Sequence, residues 1–130
     1  MKIVRLAGVA SIAFLSACGG PARDGLVVGG LYSVKQANEY WVTKVLALDN
    51  DVVHLRIYRN RYKDRPVSVD PSKLSVGSLK DKDSGMGHIP LNRKHFTSAW
   101  EPRFIMQTEV KEEELEGYNL WKGSGGGAFK

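Results

Sequence analysis

The chain holds three histidines, His54, His88 and His95, and one cysteine, Cys18. These residue types ligate metals or move protons, so their spacing decides which reactions are open. A zinc site takes four ligands, with three from protein when it is catalytic. The histidines fall on three separate segments, and no His-Glu-x-x-His or paired-cysteine spacing joins them. A metal site would need carboxylates as well, with Asp81 and Asp83 as the candidates near His88. Asp81-Lys82-Asp83-Ser84-Gly85 begins like a calcium loop. It lacks the third oxygen ligand, the glycine one place later and the closing bidentate glutamate. Ser84-Gly85-Met86-Gly87-His88 is glycine-rich, yet it does not open a helix after a strand as a phosphate-cradling loop does. No nucleophile elbow of the Gly-x-Ser-x-Gly type is present. Neither a metal nor a cofactor is expected.

A second constellation is basic and aromatic. Arg56, Arg59, Arg61, Lys63 and Arg65 crowd one segment, with Tyr58 and Tyr62 among them and Tyr40 and Trp41 shortly before. Aromatic faces beside arginines make platforms for peptides, sugars or anionic polymers. The competing reading is core packing for the aromatics and a solvated face for the charges. The residues expected to form a binding surface are His54, Arg56, Tyr58, Arg59 and Arg61. Glu109, Glu112, Glu113, Glu114 and Glu116 form an acidic counterpart further on.

The net charge of +5 includes Lys2 and Arg5 at the amino terminus. Without them 17 basic residues face 14 acidic ones, a balance of +3. That is too mild to call for a nucleic-acid partner, so none is expected. The 130 residues are 42% hydrophobic and 25% charged, which suits one globular domain.

Met1 to Arg5 is a short positive region, and Leu6 to Leu15 is apolar or small throughout. Ten such residues are too few to span a bilayer core of about 30 Å, so the stretch reads as a secretory signal. Leu15-Ser16-Ala17-Cys18 then resembles the lipobox of bacterial lipoproteins. That resemblance implies a diacylglyceryl group on the Cys18 thiol, cleavage before Cys18 and acylation of the new amino group. Two or three acyl chains at about 0.8 kcal/mol per buried methylene anchor a soluble domain stably. Gly19 in place of an aspartate leans toward sorting to the outer membrane, facing the periplasm. The lone cysteine leaves no partner for an intramolecular disulfide.

The elements that position these residues follow from local patterning. Residues 1–17 are a signal peptide, 18–30 a lipidated cysteine with its glycine-rich tether, 31–122 one globular domain and 123–130 a flexible tail. Leu31 to Val34 reads as a short strand, and Tyr40 to Leu48 as a longer one rich in aromatic and β-branched residues. The second strand alternates imperfectly, because Lys44 shares a face with Val42, Leu46 and Leu48. Either both faces are partly covered or a bulge shifts the register. Asp49-Asn50-Asp51 predicts a hairpin turn. Val52 to Tyr58 then sends Val53, Leu55 and Ile57 to the core and His54, Arg56 and Tyr58 outward. Val67 to Val69 is expected as a proline-flanked edge strand. Asn92 caps a short helix over Arg93 to Ser98 that buries Phe96. Phe104 to Thr108 reads as a last strand, and Glu112 to Lys122 as a last helix ended by Gly123.

These elements predict a mainly β fold with short helices, an α+β class. The expected form is a small bent sheet or a partly open barrel with a C-terminal helix. The hairpin over 40–58 is similar to those of SH3-like and Tudor-like barrels. The functional expectation is a membrane-anchored, periplasm-facing lipoprotein. Its domain is a non-enzymatic binding module for a protein or envelope polymer, with an immunity-type inhibitor as one form. Two alternatives stand: a metal-dependent hydrolase using His54, His88 or His95 with Asp81 or Asp83, and a structural subunit of envelope assembly.

Overall fold

The computed structural model describes residues 24–129. The signal segment and Cys18 lie outside them. The strands are β1 (Gly30–Gln36), β2 (Glu39–Asp49), β3 (Val52–Tyr62), β4 (Met86–Asn92) and β5 (Arg103–Gln107). They form one antiparallel sheet in the order β4-β3-β2-β1-β5. Two short helices, α1 (Arg93–Ala99) and α2 (Glu116–Gly123), complete an α+β fold. The sheet is open, with β4 and β5 as its two edges.

The β2–β3 hairpin is the spine. Asn50 takes φ +48 at its turn, a left-handed conformation that asparagine tolerates. The strands run further than the sequence predicts, because Arg61 and Tyr62 still pair with Trp41 and Tyr40. Register shifts fall between Trp41 and Thr43 and between Val45 and Ala47. Both explanations of the imperfect alternation hold: β2 is bulged, and both of its faces are covered.

One face of the sheet carries the larger core. Tyr32, Val34, Val45, Val53, Leu55, Ile57, Leu91 and Phe96 pack there with Leu26. Helix α1 closes this face and begins as predicted. Asn92 Oδ1 accepts from the His95 amide at 2.8 Å, and Phe96 is fully buried. The domain begins before the expected boundary at Leu31. Leu26 is buried, the Tyr32 hydroxyl donates to the Gly25 carbonyl, and Asp24 pairs with Arg93 at 2.6 Å. That pairing holds the Asp24 carboxyl below its usual range.

The opposite face is covered too. Leu31, Val42 and Tyr58 pack there against Tyr62, Val69, Leu74, Val76, Ile105 and Met106. Val67 to Val69 forms no strand, and the edge beside β3 is β4. Pro66 and Pro71 lack the N–H donors a ladder needs, and Val69 packs as part of a loop. The expected final helix is split into a 3₁₀ turn over Glu112–Leu115 followed by α2. The segment read as a flexible tail turns through left-handed Gly125 and Gly126 and comes back to β4. There Phe129 N–H donates to the Pro90 carbonyl, and its own carbonyl accepts from Asn92 N–H. The result is three layers: α1, the sheet, and a covering of loops with α2. Among the described residues, no helix is long and apolar enough to cross a membrane.

Candidate functional site

The second face brings together residues from three strands. The registers place Leu31 opposite Lys44 and Lys44 opposite Arg56, so the three form one row across β1, β2 and β3. Tyr58 stands two residues along β3 on the same side. Over this row opens a cavity of about 370 Å³. Pro71 and Leu74 wall one side, and Thr108, Glu109, Lys111, Glu113 and Glu114 wall the other.

The floor is charged. The Lys44 side chain is only 6% exposed. Its Nζ donates to the Glu109 carbonyl at 2.6 Å and to Glu114 Oε1 at 2.8 Å. The same Oε1 accepts from Lys111 N–H at 2.9 Å. Burial pushes the Glu114 carboxyl up, but the Lys111 amide and the Lys44 ammonium outweigh it and hold the group below its usual value. Arg56 comes next in the row. Its Nε lies 3.6 Å from Glu114 Oε2, an ion-pair distance too long for a hydrogen bond. The Tyr58 hydroxyl is held above its usual pKa by burial and by Glu114, with Arg56 opposing.

At the other end of the same face, under α2, lies a histidine pair. His54 is fully buried, and its Nδ1 meets His88 Nε2 at 2.9 Å with the rings nearly parallel. Tyr118 and Trp121 of α2 set their rings edge-on to His54 at 4.6 and 4.4 Å. Asp49 Oδ2 accepts from the Tyr118 hydroxyl at 3.0 Å and lies 3.2 Å from His54 Nε2. Among the described residues, Asp49 is the acidic group that His54 Nε2 approaches. Burial lowers the His54 pKa although Asp49 opposes it, and burial with the neighbouring His54 ring lowers that of His88. At this distance one ring nitrogen donates and the other accepts, and burial disfavours charge on either ring. Because the two nitrogens point at each other, they do not converge on a common metal position.

Several expectations are corrected here. His54 and Tyr58 were read as outward-facing, and both are buried because the 109–123 segment and the Val69–Val76 loop cover them. Of the expected surface residues, Arg56 and Tyr58 line the cavity, with Arg56 facing Glu114. Arg59 turns away and pairs with Asp81 at 3.1 Å. Arg61 lies 4.1 Å from the Trp41 ring and 3.3 Å from Glu39, on the opposite face. The arginines crowded in sequence are thus spread over separate places in the fold. The expected metal constellation is not assembled either. His54 and His88 meet, but His95 lies on α1 across the sheet, and Asp81 is engaged by Arg59 and the Ser78 amide. Among the described residues, no group of three or more His, Cys, Asp or Glu side chains is placed to hold a metal ion.

Sequence reasoning missed Lys44 and Glu114 as site residues. The available signal was Lys44 itself, a lone charge on an apolar strand face that needs a buried partner. The acidic run supplies it from 70 residues away. No protein-family model, curated protein or solved structure matches the chain.

Proposed function

We propose that this protein is a lipoprotein of the bacterial envelope, held at the outer membrane by lipid on Cys18 and facing the periplasm. Its domain is a non-enzymatic binding module for a protein or envelope polymer, and an immunity-type inhibitor is one form of that role. The observation that carries the reading is the cavity floored by Lys44, Arg56 and Tyr58. It combines an apolar wall, Pro71 and Leu74, with charged groups on its floor and its other wall, which is the make-up of a recognition site. The anchor rests on Leu15-Ser16-Ala17-Cys18 and the apolar run before it.

The test is affinity capture from intact envelopes with the tagged full chain. Arg56→Glu abolishes capture, whereas Arg59→Glu, which lies outside the cavity, retains it. Equal capture by both variants would remove the cavity as the binding site. Incorporation of labelled palmitate, lost in Cys18→Ser, checks the anchor.

A further inference from the structure

We infer that the side of the domain where its chain enters, marked by exposed Val28 and Phe104, rests on the phospholipid surface to which Cys18 is anchored. This rests on the reading of Cys18 as lipidated, and adds to it a contact surface and an orientation for the domain.

The patch is built around Tyr32. Its hydroxyl donates to the Gly25 carbonyl and accepts from Val27 N–H, which pins the entering chain to the end of the ring. The Phe104 ring meets the same ring edge-on at 5.6 Å. Phe104 pairs with Tyr32 across β5 and β1, and β5 is an edge of the sheet, so no strand lies beyond it. Val28 follows Val27, and its carbonyl accepts from the Gln107 side chain of β5. Val28 is 47% exposed and Phe104 54%. Single exposed apolar residues are ordinary on a protein surface. These two are set apart by their place beside Asp24, where the described chain begins.

The length of the link selects the occupant. Cys18 and Asp24 are six residues apart, so no conformation of the chain between them reaches further than about 20 Å. A domain of about 100 residues is about 30 Å across. The link is therefore too short to bring the far side of the domain to the bilayer, and the side that carries Asp24 stays nearest to it. Asp24 is fixed to α1 by its pair with Arg93, whereas α2 with its exposed Leu120 lies across the sheet. The formal charges beside the patch balance. Arg93 pairs with Asp24, Lys94 follows it against Asp51, whose carbonyl accepts from the Arg93 amide, and Glu101 and Arg103 precede Phe104. The contact is thus apolar and does not depend on anionic lipid. In this pose the cavity on the opposite face opens away from the bilayer, toward the periplasm.

The lipidated protein, expressed from the full chain and placed in vesicles of phosphatidylethanolamine and phosphatidylglycerol, tests this. With the Cys18 sulfur in a thioether, Val28→Cys, Phe104→Cys and Leu120→Cys each offer one free thiol for a fluorescent label. The labels at 28 and 104 are expected to be quenched by brominated lipid and to collide with aqueous iodide several-fold less often than the label at 120. A label on Arg103→Cys controls for the apolarity of the label itself. Its quenching by brominated lipid falls when Val28→Asp and Phe104→Asp are added, and unchanged sheet amide spectra exclude misfolding as the cause. Replacing phosphatidylglycerol by phosphatidylcholine leaves the quenching unchanged. The inference is overturned if the labels at 104 and 120 are equally open to iodide, if the two aspartates change nothing, or if quenching vanishes without the anionic lipid. Any of these with palmitate still incorporated at Cys18 keeps the anchor and rejects the contact. Failure to incorporate palmitate removes the anchor and the orientation together.

Discussion

Gly117 sits where α2 crosses β4, and adding one methyl group there tests how the second face is closed. A Cβ at this position would lie 2.6 Å from His88 Cβ, 3.0 Å from its Cγ and 3.2 Å from its Nδ1. His88 cannot retreat easily, because its β4 neighbours Ile89 and Pro90 are in register with Leu55 and His54, and its own ring is tied to His54. Two effects compete in Gly117→Ala. Helix propensity favours alanine by about 0.8–1.0 kcal/mol. Overpacking against a fixed neighbour costs about 1–3 kcal/mol. The expected net is a loss centred near about 1 kcal/mol and reaching about 2 kcal/mol. Gly123, in the same helix, provides the control, since a Cβ there meets nothing within 4 Å. Gly123→Ala feels only the propensity term and gains up to about 1 kcal/mol. Urea denaturation followed by far-UV circular dichroism measures both, with near-UV signals reporting Trp121. A Gly117→Ala variant as stable as the parent, or more so, would show that α2 does not press on β4 as described.

Three further outcomes follow from the same geometry. The histidine pair makes stability fall in acid: both folded pKa values lie below the ordinary histidine value, so the unfolded chain binds protons that the folded one refuses. Stability is full above about pH 6.5 and falls below it, by up to about 1.4 kcal/mol per pH unit for each proton. Denaturation midpoints at stepped pH check this. The groups facing the pair are Asp49, which opposes the loss, and Tyr118, and a His54→Leu variant with an unchanged acid limb would contradict it. Lys44→Met removes one partner of a buried ion pair and destabilises by about 3 kcal/mol, while adding Glu114→Gln restores most of that. A simply additive double variant would show that the two side chains are not coupled. Phe96→Ala empties a fully buried position under α1 and costs about 3–5 kcal/mol, read from the same denaturation curves.

Much of the sheet is legible in local pattern. The turn at Asn50, the inward set Val53, Leu55 and Ile57, and the Asn92 cap over Phe96 all appear where short-range rules place them. Alternation tells which β3 residues lie on opposite sides, but not whether the second side is wet. His54 and Tyr58 were misread for that reason, since the residues that cover them lie some 10 to 70 positions further along. The basic cluster failed differently. Arg61 prefers the Trp41 ring and Glu39, and Arg59 prefers Asp81, which are pairings that sequence proximity does not encode. The polyglycine stretch near the end reads as a flexible tail because glycine permits many conformations, and only the fold selects the one that returns Phe129 to β4.

The closure of the second face also sets an order of assembly in time. Strands β1, β2 and β3 follow one another through tight turns, so their pairing closes only short loops. The links that complete the covering, Lys44 to Glu114 and Asp49 to Tyr118, span 70 and 69 residues. Loop-closure entropy makes such links late events, formed after the meander has supplied a surface to dock on. Contacts formed late are absent from the folding barrier, and losing them speeds unfolding without slowing folding. Substitutions around the cavity and under α2 will therefore shorten the lifetime of the folded state, whereas those in the hairpin will delay its formation.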